Sequence, residues 1–123
     1  MTVITGADAP SHEMNGVTFT ALASPRRGSA ETSVWRIEVP PGTPAAPHEM
    51  TREEILVVTA GRADVQLGDA RFAAAVGDTI VVPPATTFAL ANAGDEPLQA
   101  IVCLPVGGQA SLDGQTFTPP WAE

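Results

Sequence analysis

The segment GTPAAPHEMTREEILVVTAG, residues 42–61, joins a turn-rich start to an apolar strand that carries chemically active side chains. Side chains alternate between the two faces of an extended chain, so His48, Met50 and Glu54 are expected on one face. A second segment, GDTIVVPPATTFALAN at residues 77–92, places Phe88 in another predicted strand. These two segments predict a β-structure whose inward face mixes polar and apolar groups.

The rest of the chain repeats this pattern of short apolar segments between Gly, Pro, Asn and Asp, which is typical of an all-β fold. In one segment Trp35, Ile37 and Val39 alternate with polar residues, as in a strand with one wet face. The dipeptide Gly68-Asp69 suits a two-residue hairpin turn. A sandwich or jelly roll is therefore predicted, with strands at residues 17–23, 33–39, 54–60, 63–67, 70–74, 78–83, 87–92 and 98–104.

Length and charge limit the function classes. At 123 residues the chain is about one domain long. Its net charge of −8 would repel nucleic acid and acidic membranes. No apolar run approaches the roughly 18 residues of a membrane span, and residues 1–14 lack the pattern of a secretory signal, so a cytoplasmic location is expected. Cys103 is the single cysteine, which excludes an internal disulfide and a thiolate-rich zinc site; a small buried hydrophobe is its expected role.

The spacing of both segments resembles the two motifs of the cupin superfamily. Positions 42, 48, 50, 54 and 61 follow the first motif, which has Gly, His, His, Glu and Gly there. Positions 77, 83, 85, 88 and 92 follow the second, which has Gly, Pro, Gly, His and Asn. The resemblance implies one cupin domain over residues 1–123, a double-stranded β-helix or jelly-roll barrel. Its core would span about residues 17–105, with an N-terminal arm at 1–16 and a C-terminal extension at 106–123.

The same resemblance maps the family's metal ligands onto His48, Met50, Glu54 and Phe88. A phenyl ring cannot coordinate a metal, so the candidate ligands are His48, Glu54 and Met50. A thioether suits a soft ion, which leaves either a divalent metal or Cu(I) as a possible cofactor. The alternative role for Met50 is packing beside Phe88 and Leu90.

A barrel with these substitutions would have a small, dry pocket that suits a small, mostly apolar ligand. The expected pocket residues are Trp35, Ile37, Met50, Leu56, Phe88 and Leu90. Three functions are open: a small-molecule-binding cupin with a partly lost metal site, a metal-independent isomerase, cyclase or lyase, or a metal-dependent oxygenase or isomerase with an unusual ligand set. In the second, His48 and Glu54 act as an acid-base pair.

Other residues are expected to play lesser roles. Glu49 and Glu53 should face solvent, and Arg52 should either guard the pocket mouth or pair with Glu49. His12 is expected in an unstructured start, the alternative being that it folds over the barrel and completes a site with His48. Small cupins often dimerise through flanking strands, so a homodimer is expected, with residues 17–22 as the suspected contact.

Overall fold

Residues 2–123 are described by the computed structural model and form an all-β jelly roll. In this part of the chain the strands are β1 (Ser11–Met14), β2 (Val17–Ala23), β3 (Thr32–Val39), β4 (Glu49–Met50), β5 (Glu54–Ala60), β6 (Ala63–Leu67), β7 (Ala70–Ala74), β8 (Thr79–Val82), β9 (Phe88–Asn92), β10 (Leu98–Pro105), β11 (Ala110–Leu112) and β12 (Gln115–Phe117). Short 3₁₀ turns cover Gly6–Asp8, Pro25–Arg27 and Pro120–Ala122.

The strands pair antiparallel throughout and form a large sheet and two small ones. The large sheet has the order β1-β2-β3-β10-β5-β8, and the small sheets are β7-β6-β9 and β12-β11-β4. A two-hydrogen-bond bridge between His48 and Phe88 links the small sheets, because His48 lies next to β4 and Phe88 begins β9. The two small sheets therefore lie edge to edge, and together with the large sheet they enclose one apolar core.

All eight predicted strands are present, with shifts of at most one residue at some ends. The predicted alternation in β3 is confirmed, since Trp35, Ile37 and Val39 are buried and Arg36 is exposed. The turn between β6 and β7 is also confirmed: Gly68 has a φ of 57°, which glycine adopts without a steric penalty. Period-two patterning was sufficient to place these elements because each strand has one buried face.

The expectation of an unstructured start is wrong. Residues 11–14 form β1, in which His12 pairs with Phe19 of β2. The strand is short, but it covers an edge of β2 that would otherwise expose unpaired backbone groups. Because β2 is bonded on its other side to β3, residues 17–22 have no free sheet edge to offer a second copy. A homodimer stays a prediction, but pairing of a second copy with the edge of β2 is no longer a reason to place the contact at residues 17–22.

The C-terminal extension is more than a surface tail. It contributes β12, which pairs with β11, and β11, which in turn pairs with β4, and then the buried side chain of Trp121. The indole of Trp121 stacks on Phe19 with ring centroids 3.7 Å apart. The Ser33 hydroxyl donates a hydrogen bond of 2.7 Å to the Ala122 carbonyl. These contacts fix the chain end against β2 and β3.

No helix within residues 2–123 is long and apolar enough to cross a membrane.

Candidate functional site

The barrel interior holds a cavity of about 120 Å³. Carbon atoms make most of its wall, and the polar side chains that reach it are Asn15, His48 and Glu54. The aromatic rings of the wall come from both ends of the chain and from the barrel: Phe19, Trp35, Phe88, Phe117 and Trp121. Such a space matches the general form of a small-molecule site, which is concave and apolar with a few polar groups.

The structure brings all the expected site residues to this one cavity. His48 and Glu54 line it together with the expected apolar residues Trp35, Ile37, Met50, Leu56, Phe88 and Leu90. Their common direction follows from strand geometry, because the inward positions of β3, β4, β5 and β9 all face the core. Whether these residues bind a ligand or act in catalysis stays a prediction.

Glu54 is the unusual group of the site. It begins β5, its side chain is only 4% exposed, and the hydrogen bonds found for residues 2–123 include none to its carboxyl group. Burial raises the pKa of Glu54 to about 8, because a desolvated carboxylate is costly. At neutral pH Glu54 is therefore mostly a carboxylic acid, with one O–H donor and one carbonyl acceptor.

His48 is held in one tautomer by its own loop. Its Nδ1 lies 2.8 Å from the Ala46 carbonyl oxygen, and a carbonyl only accepts hydrogen bonds, so Nδ1 carries the proton. In the neutral imidazole this leaves Nε2 as an acceptor. The ring meets Phe88 edge to face, with centroids 5.3 Å apart. His48 is thus oriented by backbone and phenyl contacts.

His48 and Glu54 form no hydrogen bond with each other among the described contacts. The imidazole is bonded to Ala46, and burial is the cause of the raised pKa of Glu54. Both groups face the same cavity without a direct bond among the described contacts. Each therefore remains free to bond a molecule placed between the cavity walls.

The donor set does not fit a hard divalent metal. Within the described part of the chain, no group of three or more His, Cys, Asp and Glu side chains is close enough to hold an ion. Met50 is 3% exposed and Phe88 is 2% exposed, and both belong to the apolar core. His48 and Glu54 alone are fewer ligands than Mn(II), Fe(II) or Zn(II) sites in proteins have.

Several other residues of the two motifs lie outside the cavity lining. Glu49, Glu53 and Arg52 are exposed, and the one salt bridge found among residues 2–123 joins Arg26 to Glu123. Arg52 thus neither pairs with Glu49 nor lines the cavity. Asn92 has a structural role, because its side-chain amide donates to the carbonyls of Val39 and Glu96 and its oxygen accepts from the Gly94 N–H.

His12 does not complete a site with His48. Its ring lies on β1, with its centroid 6.3 Å from that of Trp121, and it is absent from the cavity lining. Its Nδ1 and the Nε1 of Trp121 are both buried without a hydrogen-bond partner in the described residues. His12 therefore lies behind the aromatic wall.

Sequence reasoning missed the residues that the two chain ends contribute. These are Met14, Asn15, Val17, Phe19, Ala110, Leu112, Phe117, Pro119 and Trp121. The signal for them was weak, because they stand singly among turn-forming residues and lie far in sequence from the motifs. The aromatic residues Phe117 and Trp121 in an otherwise polar tail were the available clue, since large aromatic side chains are seldom left in solvent.

Comparison with known proteins identifies the fold. Residues 35–104 match the family described as "Cupin domain". An uncharacterised protein of Methanocaldococcus jannaschii is 36% identical over 66 residues. This alignment covers 53% of the chain and 53% of the archaeal protein, so the two share about half of their lengths.

Solved structures extend the likeness to nearly the whole chain. The polyketide cyclase RemF from Streptomyces resistomycificus superposes with a TM-score of 0.79 at 16% identity, covering 97% of this chain and 89% of that one. An RmlC-like cupin from Shewanella frigidimarina gives 0.70 at 16% identity, covering 82% and 86%. Oxalate decarboxylase of Bacillus subtilis gives 0.70 at 22% identity, covering 80% of this chain and 28% of the larger protein. At these identities the likeness establishes the fold.

Proposed function

The chain belongs to the cupin family, and we propose that it binds a small, mostly apolar molecule in the cavity inside its barrel. The observation that carries the proposal is Glu54, a buried carboxyl group without a protein partner that faces a cavity of about 120 Å³. A buried polar group normally has a hydrogen-bond partner, so this one is suited to a partner supplied by a ligand.

The size of the cavity limits the ligand. An engineered apolar cavity of about 150 Å³ holds one benzene molecule. The present cavity is somewhat smaller, so one ring with a short polar substituent is the upper limit for a ligand that it encloses. Its ring would lie against apolar carbon, and its polar group would reach Glu54 or His48.

Tryptophan fluorescence gives a direct test. The chain has two tryptophans, Trp35 and Trp121, and both line the cavity. We expect benzyl alcohol, used as a one-ring probe, to produce a saturable change in tryptophan emission. Val102→Phe would fill part of the cavity and weaken the change, whereas the matched substitution Val76→Phe, at an exposed position, would leave it intact. A change that grows linearly without saturation in the wild-type protein would contradict the proposal.

A second candidate is metal-independent acid-base catalysis of the kind expected for an isomerase, cyclase or lyase. The observation that favours it is the pKa of Glu54, raised to about 8. A carboxyl group with this pKa can hold or accept a proton near neutral pH, which is the property of an effective general acid or base. The solved polyketide cyclase shares the fold and offers no further support at 16% identity.

Proton exchange separates the two candidates. Acetophenone in D₂O would exchange its methyl protons for deuterium if ionised Glu54 removed a proton from carbon and returned a deuteron. The exchange, followed by ¹H NMR, should rise with pH up to the pKa of Glu54 and vanish in Glu54→Gln. Binding of acetophenone with no exchange above that of Glu54→Gln would leave ligand binding as the function.

A further inference from the structure

Two of the three polar side chains of the cavity, His48 and Glu54, share one property that restricts the chemistry of the ligand, whereas the third, Asn15, has both donors and an acceptor. His48 offers Nε2 as an acceptor, because its Nδ1 proton is used by the Ala46 carbonyl. Glu54 in its ionised form offers only acceptors. Once Glu54 is ionised, which a nearby cation favours, the two titratable side chains in the cavity lining both accept hydrogen bonds from N–H or O–H donors. A primary ammonium group has three donors and no acceptor, which is the complementary set.

The net charge of the protein also favours a cationic ligand. Its net charge of −8 attracts cations and repels anions during approach. No lysine or arginine lines the described cavity, so an anionic ligand would find no counter-charge there. A buried anion without a counter-charge is strongly unfavourable.

We propose that the ligand is a one-ring primary amine bound as its ammonium ion, with Glu54 as counter-ion and His48 Nε2 as a second acceptor. This inference deepens the proposed function and rests on it. The proton balance is simple: the ammonium ion enters, and the proton that Glu54 carries in the empty cavity leaves to solvent. If the amine enters uncharged, it takes that proton from Glu54 and none is exchanged with solvent.

Three probes of nearly equal shape test the charge preference. Benzylamine is the cation, benzyl alcohol the neutral analogue and benzoate the anion, each titrated by tryptophan fluorescence near neutral pH. Benzyl alcohol is a fair competitor, because its hydroxyl can donate to His48 Nε2 and can also accept from the protonated carboxyl group of Glu54. We expect benzylamine to bind at least about tenfold more tightly than benzyl alcohol, as for a desolvated charge-assisted contact. Benzoate should give no saturable change.

A charge-matched pair of variants assigns the preference to Glu54. In Glu54→Gln the ratio of the benzylamine affinity to the benzyl alcohol affinity should fall by about tenfold. In Glu49→Gln the same unit of charge is lost at an exposed position, and both affinities should stay close to wild type. The wild-type comparison needs no variant, so it remains decisive if Glu54→Gln does not fold.

The outcomes are distinguishable. If benzyl alcohol binds and benzylamine binds no more tightly, the inference is wrong and the proposed function stands. If Glu54→Gln keeps the full advantage of benzylamine, the inference is wrong as well. If neither probe binds the wild-type protein, the proposed function fails and takes the inference with it.

Discussion

His48 and Phe88 face each other across an antiparallel bridge with hydrogen bonds of 2.9 and 2.8 Å, and their rings meet edge to face. Position 88 is where the cupin motif has a histidine, so the phenyl ring occupies the place of a metal ligand beside the one histidine that is kept. This pairing places an aromatic contact where the motif resemblance predicts a metal ligand.

The first prediction concerns metal content. We expect the wild-type protein, incubated anaerobically with Mn(II), Fe(II), Zn(II) or Cu(I) and desalted, to retain well under one equivalent of the three divalent ions by plasma mass spectrometry. Replacing Met50 and Phe88 together by histidine should raise retention to about one equivalent, because three imidazoles and one carboxylate then face one cavity.

The control for this gain is His48→Ala in the doubly substituted protein, which should lose the ion again. Near-stoichiometric divalent metal in the wild-type protein would refute the prediction. Retention of Cu(I) alone would identify Met50 as a ligand, since a thioether prefers a soft ion.

The second prediction concerns pH and stability. Folding raises the pKa of Glu54 from 4.5 to about 8. Between these values the folded state holds a proton that the unfolded state has lost, so the free energy of unfolding falls as pH rises through this window. The loss is complete above the folded pKa and amounts to at most about 5 kcal/mol, from about 1.4 kcal/mol for each pKa unit. Urea titrations across the window measure it.

Glu54→Gln should be less dependent on pH and more stable than wild type above about pH 8. Glu49→Gln loses an equal charge at an exposed position, and it should keep the wild-type slope. Parallel pH profiles for wild type and Glu54→Gln would show that Glu54 is ionised at low pH in the folded protein, contrary to the prediction.

The third prediction concerns the chain end. Trp121→Ala removes the ring that stacks on Phe19, and it should lower the free energy of unfolding by about 3 to 5 kcal/mol, as for other buried aromatic residues. Pro120→Ala is the neighbouring control, since Pro120 is exposed, and should change stability far less. A loss below about 1 kcal/mol in Trp121→Ala would mean that the chain end contributes little to the core.

The fourth prediction compares two glycines with the same backbone conformation, in order to separate the stability cost of a positive φ from the cost of a steric clash. Gly61 and Gly42 have nearly the same φ, 78° and 76°. A Cβ at Gly61 would lie 2.7 Å from the Pro97 carbonyl oxygen and 2.9 Å from the Leu98 Cα, whereas a Cβ at Gly42 would meet nothing within 4 Å.

Gly42→Ala should therefore cost about 1 to 2 kcal/mol, the penalty for alanine at positive φ. Gly61→Ala should cost at least about 1 kcal/mol more, because backbone atoms must move. Thermal or urea unfolding of the two variants measures the difference. Equal losses would show that the turn between β5 and β6 adapts to the added methyl group.

Strands β3, β5, β8 and β10 could be predicted because each alternates between a buried and a less buried face, as Trp35 and Arg36 do. The same rule placed Glu54 and Met50 inside, since both fall on the inward phase. The short strands β1, β4, β11 and β12 could not be predicted in this way, because they are two to four residues long and lack an apolar run such as residues 80–82 of β8.

The chemistry of the site depended on loop conformation that no pattern indicates. The tautomer of His48 follows from the position of the Ala46 carbonyl, two residues earlier in a proline-rich loop. The lack of a partner for Glu54 depends on what β4 and β9 present across the cavity, where Met50 and Phe88 are apolar. Inward direction was therefore predictable for both residues, while their hydrogen bonding was not.

Several residues of the cavity wall lie before or after the part of the chain that matches the family, residues 35–104. Relatives recognised over that part alone can thus share the barrel and differ in the surface that meets a ligand. The recognised region and the ligand-selecting region can also diverge at different rates. A ligand found for one such relative should be transferred to another only after Phe19, Phe117 and Trp121 have been compared.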